Sequence, residues 1–335
     1  MTKELPLTLF DPNQTDFETD YQRLVWRSGI SIVPPEVSLA GVTDPDTREG
    51  CMQVYLCTME LLEDMFKQPD AYAPFPVGWY TDAFFAWLLH GNAMVKQREC
   101  FERFLEIIPQ FGFSYDKGTN TLANERYPLF PVYFDRLRIL AKEKKQNLGG
   151  YLPRRDFRLF AQRVVITLDD LLRPAPDQYK AYLKELHAYA LSKGAKWERK
   201  GPTCFRYAYQ GHYILVLQNN PAHVEVPYSL SDGGFERFLA EAQHQPDADA
   251  LVAYIQKDIG ICDGCRYRSE GRKPLRERCG RWVEIRGVRR FASGCHPAIS
   301  KYHRGKDHYV YTYEDIRLLK RMMDLRISQI DHFIA

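Results

Sequence analysis

Two very short links set the fold class. Three runs rich in β-branched and aromatic residues lie between positions 204 and 228: Cys204–Tyr209, His212–Gln218 and 223–228. Gln210-Gly211 separates the first two, and Asn219-Asn220-Pro221 opens the second link. A parallel crossover needs roughly a dozen residues or more, so links this short require antiparallel pairing. The runs are therefore expected to form a meander, with Gln210-Gly211 as a hairpin turn. A helical pattern precedes them at 177–193, with Tyr179, Tyr182, Leu183, Leu186 and Ala190 on one side, and Gly194 stops it. Ser231 is read as the cap of a helix to about Gln243, and a further helix is expected over 247–257. This order places the second half of the chain in the α+β class.

The first half reads as mainly helical. Thr15-Asp16-Phe17-Glu18 has the pattern of a capping box and predicts a helix to Arg27, stopped by Gly29. Residues 30–33 read as a short strand cut off by Pro34-Pro35. Helices are expected over 48–67, 81–90, 93–108 and 129–145, with a loop or short hairpin at 111–122. Cys51 and Cys57 lie six apart on one of these helices and point in different directions, so they read as small core residues. The break at Arg173-Pro174-Ala175-Pro176 marks a change of character, and the expected domains are 1–165 and 166–335. An amphipathic helix over 312–330 closes the chain, with Ile316, Leu319, Met323 and Ile330 along one side.

Half of the eight cysteines fall within 261–297. Cys262 and Cys265 form a Cys-x-x-Cys pair around Asp263-Gly264; Cys279 and Cys295 follow at longer spacing. Zinc takes four thiolate or imidazole ligands in a tetrahedron, and a Cys-x-x-Cys turn supplies two of them. The expectation is a small module over 258–310 in which Cys262, Cys265, Cys279 and Cys295 hold a structural zinc ion. Free thiols, an iron–sulfur cluster and a redox pair are the alternatives, because the spacing after Cys265 is irregular. Arg266, Arg268, Arg272, Arg278 and Arg281 are placed to offset thiolate charge around such an ion.

The net charge of +3 conceals an uneven distribution. Residues 257–307 carry fourteen Lys/Arg against six Asp/Glu, and 135–163 carry nine against three. An anionic partner, nucleic acid or an acidic protein, is expected at Arg286, Arg289 and Arg290. The N-terminus lacks a secretory pattern and no apolar run reaches the length of a membrane span, so a cytoplasmic protein is expected.

Gly-x-Gly-x-x-Gly, the Walker phosphate loop, Gly-x-Ser-x-Gly and His-Glu-x-x-His are all missing from the sequence. The expected function is accordingly non-enzymatic: a binding or regulatory protein in which zinc supports a basic surface. One alternative is an enzyme with an aromatic-lined pocket between the two regions, drawing on the Trp79–Trp87 stretch and on His296, His303 and His308. A small-molecule sensor with that pocket is the other.

Overall fold

The computed structural model describes residues 10–14, 16–73, 77, 82, 85–86, 88–89, 98–146, 151–199, 204–218, 223–229, 234–259, 280–293, 298–300 and 312–334. The chain divides into two compact units, Met1–Pro174 and Ala175–Ala335. The class is α+β, with a helical N-terminal region, a five-stranded antiparallel sheet and a C-terminal helix.

In the first unit, α1 spans Asp20–Ser31. Its capping box is built by Thr19 and Gln22 rather than by Thr15 and Glu18: Thr19 Oγ1 accepts from the Gln22 amide at 3.0 Å, and Gln22 Oε1 accepts from the Thr19 amide at 3.2 Å. Gly29 does not stop the helix. It lies inside α1, where a Cβ would come within 2.3 Å of the Phe10 ring. The expected strand at 30–33 is likewise absent, because Ile30 and Ser31 complete the helix. Val33 lies beyond the helix and donates its amide to the Arg154 carbonyl at 2.7 Å.

Helix α2, Pro45–Lys67, starts at Asp44, whose carboxylate accepts from the Thr47 amide at 2.9 Å. It buries Cys51, Val54, Cys57, Leu61, Leu62 and Met65. Next come α3 (Arg98–Ile107), a hairpin of β1 (Phe113–Asp116) with β2 (Thr121–Asn124), and α4 (Phe130–Glu143). An aromatic cluster joins them. Phe85 lies 5.0–5.6 Å from the rings of Phe104, Phe113, Phe130 and Phe134. Burying rings of this size supplies much of the unit's apolar stabilisation. The short α5, Leu168–Leu172, belongs to this unit.

Charge is buried alongside this core. Arg155, held at φ +52, donates to Asp82 and to Thr58 Oγ1, both at 2.7 Å. Arg158 meets Asp156 at 2.8 Å and Asp170 at 2.9 Å, and Arg173 meets Asp170 at 3.3 Å. Three of the nine basic side chains at 135–163, those of Arg154, Arg155 and Arg158, are therefore internal and do not add to the surface charge that a linear count implies.

The second unit begins with α6, Asp177–Ser192. The sheet order is β3-β4-β5-β6-β9, with β3 Lys196–Arg199, β4 Cys204–Tyr209, β5 His212–Gln218, β6 His223–Pro227 and β9 Ala298–Ser300. The meander forms as the two short links require. Gln210 and Gly211 sit at φ +48 and +82, the left-handed pair that a two-residue hairpin turn needs. Helices α7 (Gly234–Gln243), α8 (Ala248–Asp258) and α9 (Tyr313–Ile334) complete the unit. Ile316, Leu319, Met323 and Ile330 of α9 are buried, as their spacing predicts. Among the described residues no helix is long and apolar enough to cross a membrane.

A separate hairpin, β7 (Gly280–Ile285) with β8 (Val288–Ser293), follows α8 in sequence. It was not anticipated within the cysteine module.

Candidate binding surface

The hairpin is built by a period-two pattern. Val283 and Ile285 are buried on β7, whereas Trp282 and Glu284, which alternate with them, are exposed. The turn is Arg286-Gly287, at φ +49 and +75. It repeats the chemistry of Gln210-Gly211. Register pairs Trp282 with Phe291 and Glu284 with Arg289, so these four share one face. Arg281, Val283 and Ile285 share the other.

Two ion pairs attach the hairpin to neighbouring helices. Arg281 pairs with Glu236 of α7, and Arg286 with Asp249 of α8, the latter at 2.5 Å. The Asp249 carboxylate is fully exposed, so the second pair adds little stability and mainly orients the turn.

The opposite face has the features of a recognition platform. Trp282 is 50% exposed and stands edge-on to the buried Phe291, with ring centroids 5.4 Å apart. The Arg289 guanidinium lies 4.7 Å from the Trp282 centroid. A cation held over an indole face joins positive charge to a flat apolar surface. Val288, 40% exposed, lies at the turn end of the hairpin.

The three arginines expected to meet an anionic partner therefore have different surroundings. Arg289 is exposed and stacked, Arg286 is engaged with Asp249, and Arg290 has its Nε buried without a hydrogen-bond partner among the described residues. They do not form one uniform patch. The contact of Trp282 with Arg289 depends on the strand register, which sequence spacing alone does not supply.

Cys262, Cys265, Cys279 and Cys295 lie outside the described residues, as do Trp79, Trp87, His296, His303 and His308. Among the described residues, no group of three or more His, Cys, Asp or Glu could hold a metal ion. Cys51 and Cys57 are fully buried, as expected of core residues. Burial pushes the Cys51 thiol up to about 12 and raises that of Cys57 as well, so both stay protonated.

A shallow cavity of about 440 Å³ opens on α7 and α9, lined by Glu241, His244, Asp324, Ser328 and His332 among others. Asp324 is already occupied there, accepting from Tyr189 at 2.6 Å and pairing with Lys193 at 2.7 Å.

Comparison with known proteins yields no match to any family model, curated protein or solved structure.

Proposed function

We propose that this chain is a non-enzymatic, zinc-tied binding protein that presents the Trp282–Arg289 face to single-stranded nucleic acid. The observation that carries the reading is this face: a half-exposed indole backed by Phe291 and overlaid by a guanidinium 4.7 Å away. An unpaired base offers a flat π-face to the indole and a phosphate to the cation. An acidic protein surface would engage the charge but leave the indole without a stacking partner.

Chain connectivity supports the zinc tie. Gly280 pairs with Ser293 at the open end of the hairpin, and Ile259 bridges Ile299. Cys279 immediately precedes Gly280, and Cys295 lies two residues after Ser293. Cys262 lies three residues after Ile259. The long spacing between the third and fourth cysteines is thus the length of a β-hairpin. Four thiolates of this kind suit a structural zinc ion, which would fix the ends of the hairpin and leave its outer face open.

The test is binding of a mixed-sequence single-stranded RNA, followed by fluorescence anisotropy across a salt series. Binding should weaken with salt, and Arg289→Ala should reduce the slope of log K against log salt by about one. Trp282→Ala should cost about 1–3 kcal/mol with the slope kept. No binding at low salt, or equal binding by wild type and both variants, would overturn the nucleic-acid assignment. Capture of an acidic peptide with no RNA binding would redirect it to a protein partner.

A further inference from the structure

A second site, independent of the hairpin, is built into the first unit around Arg154. This side chain is 3% exposed. Its Nε and Nη2 are both buried, and among the described residues neither has a hydrogen-bond partner. These two nitrogens form one edge of the guanidinium, the edge whose parallel N–H groups receive the two oxygens of a carboxylate or phosphate.

The neighbouring carboxylates are committed elsewhere. Arg158 takes Asp156 through Nε and Nη2, each at 2.8 Å, and reaches Asp170 at 2.9 Å. Arg173 takes the other oxygen of Asp170 at 3.3 Å. Asp170 also accepts from the Thr167 amide at 2.8 Å. Three guanidinium groups thus face two carboxylates, an excess of one positive charge, and the excess falls on the arginine without a partner. Burial first, and the charge of Arg173 next, pull the Arg154 guanidinium down to about 10. An unpaired charge in such surroundings is strongly disfavoured unless an anion joins it.

We propose that Arg154, with Arg158 and Arg173 beside it, binds a singly charged oxyanion of a small molecule, held bidentate on the Nε–Nη2 edge of Arg154. One negative charge balances the cluster. Arg173, whose side chain is 23% exposed, marks its solvent-facing side. The backbone holds Arg154 in place, because its carbonyl accepts the Val33 amide at 2.7 Å.

The experiment uses the full chain, titrated with sodium formate, sodium acetate or sodium phosphate against sodium chloride at matched ionic strength, with the melting temperature as readout. At least one oxyanion should raise the melting temperature saturably, by about 3–6 °C at ten times its dissociation constant, where chloride does not. Formate or acetate acting alone would identify a carboxylate site; phosphate acting alone would identify a phosphoryl site. Arg154→Lys keeps the charge but loses the fork, and should weaken the apparent affinity at least tenfold. Arg173→Gln makes the cluster neutral and should weaken it too, which keeps a test available if the Arg154 variant does not fold. Equal stabilisation by chloride, no saturable response in wild type, or a wild-type response in both variants would overturn the proposal.

Discussion

Asp170 links two arginines, and its titration is set by opposing effects. Burial raises its pKa, while the Thr167 amide, Arg158 and Arg173 together outweigh burial and hold the carboxyl below its ordinary value of 3.8. Its folded pKa is thus depressed relative to the unfolded chain. The stability it contributes is fully present above about pH 4 and is lost as pH falls through the folded value. Asp170→Asn should cost about 3 kcal/mol near neutral pH, because it leaves buried guanidinium groups uncompensated. The gap between variant and wild type, measured by urea unfolding at neutral and at acid pH, should shrink as pH falls below the ordinary carboxylate range; an equal gap at both pH values would show that Asp170 acts without its charge. Little of this was legible in the sequence. Arg154-Arg155-Asp156-Phe157-Arg158 reads as a solvated basic run, since arginine is seldom fully buried. Asp82, which pairs with Arg155, lies 73 residues away along the chain, and Asp170, which pairs with Arg158, lies beyond a turn of irregular chain.

Two glycines show different constraints on the elements that contain them. Gly50 lies in α2 under the Tyr133 ring of α4, where a Cβ would come within 2.1 Å of ring carbon. Gly211 occupies a hairpin turn at φ +82 with open space around it. Gly50→Ala should destabilise by about 1–3 kcal/mol through overpacking, partly offset by the better helix propensity of alanine. Gly211→Ala should lose about 1–2 kcal/mol through backbone conformation alone. Adding Tyr133→Leu should relieve the first and leave the second unchanged. Chemical denaturation of the two double variants distinguishes space from conformation, and equal relief in both would contradict the assignment. Elements with strong periodicity were readable, including α2, α6, the β4–β6 meander and α9. β3 was not, because all four of its residues are exposed and offer no alternation, although Trp197 stacks on Phe205 at 4.7 Å. The β7–β8 hairpin had a readable signal in Arg286-Gly287, the same kind of turn as Gln210-Gly211.

At the scale of the molecule, the second unit closes on itself through distant pieces of chain. The central strands β4 and β5 are neighbours in sequence and pair locally. Strand β9 is only three residues long, yet it pairs with β6 across an intervening stretch that contains α7, α8, the cysteine segment and the hairpin. A three-residue strand could not be recognised from periodicity. Its three ladder pairs and the Ile259–Ile299 bridge must also offset the closure of a long loop. A metal tie on Cys262, Cys265, Cys279 and Cys295 would shorten the unconstrained chain on both sides of the hairpin and favour that edge. Protein purified without chelator should then contain close to one equivalent of zinc. Its removal should speed amide exchange in β7, β8 and β9 well before β4 and β5, which depend on their own turn and on the buried Phe205, Tyr207, Leu215 and Leu217. Less than about half an equivalent of zinc would count against the tie. Exchange rising equally in β4–β5 and β7–β9 would show that the metal supports the whole unit and not its late edge. Unchanged exchange after complete removal would leave closure to the ladder and the apolar contacts alone.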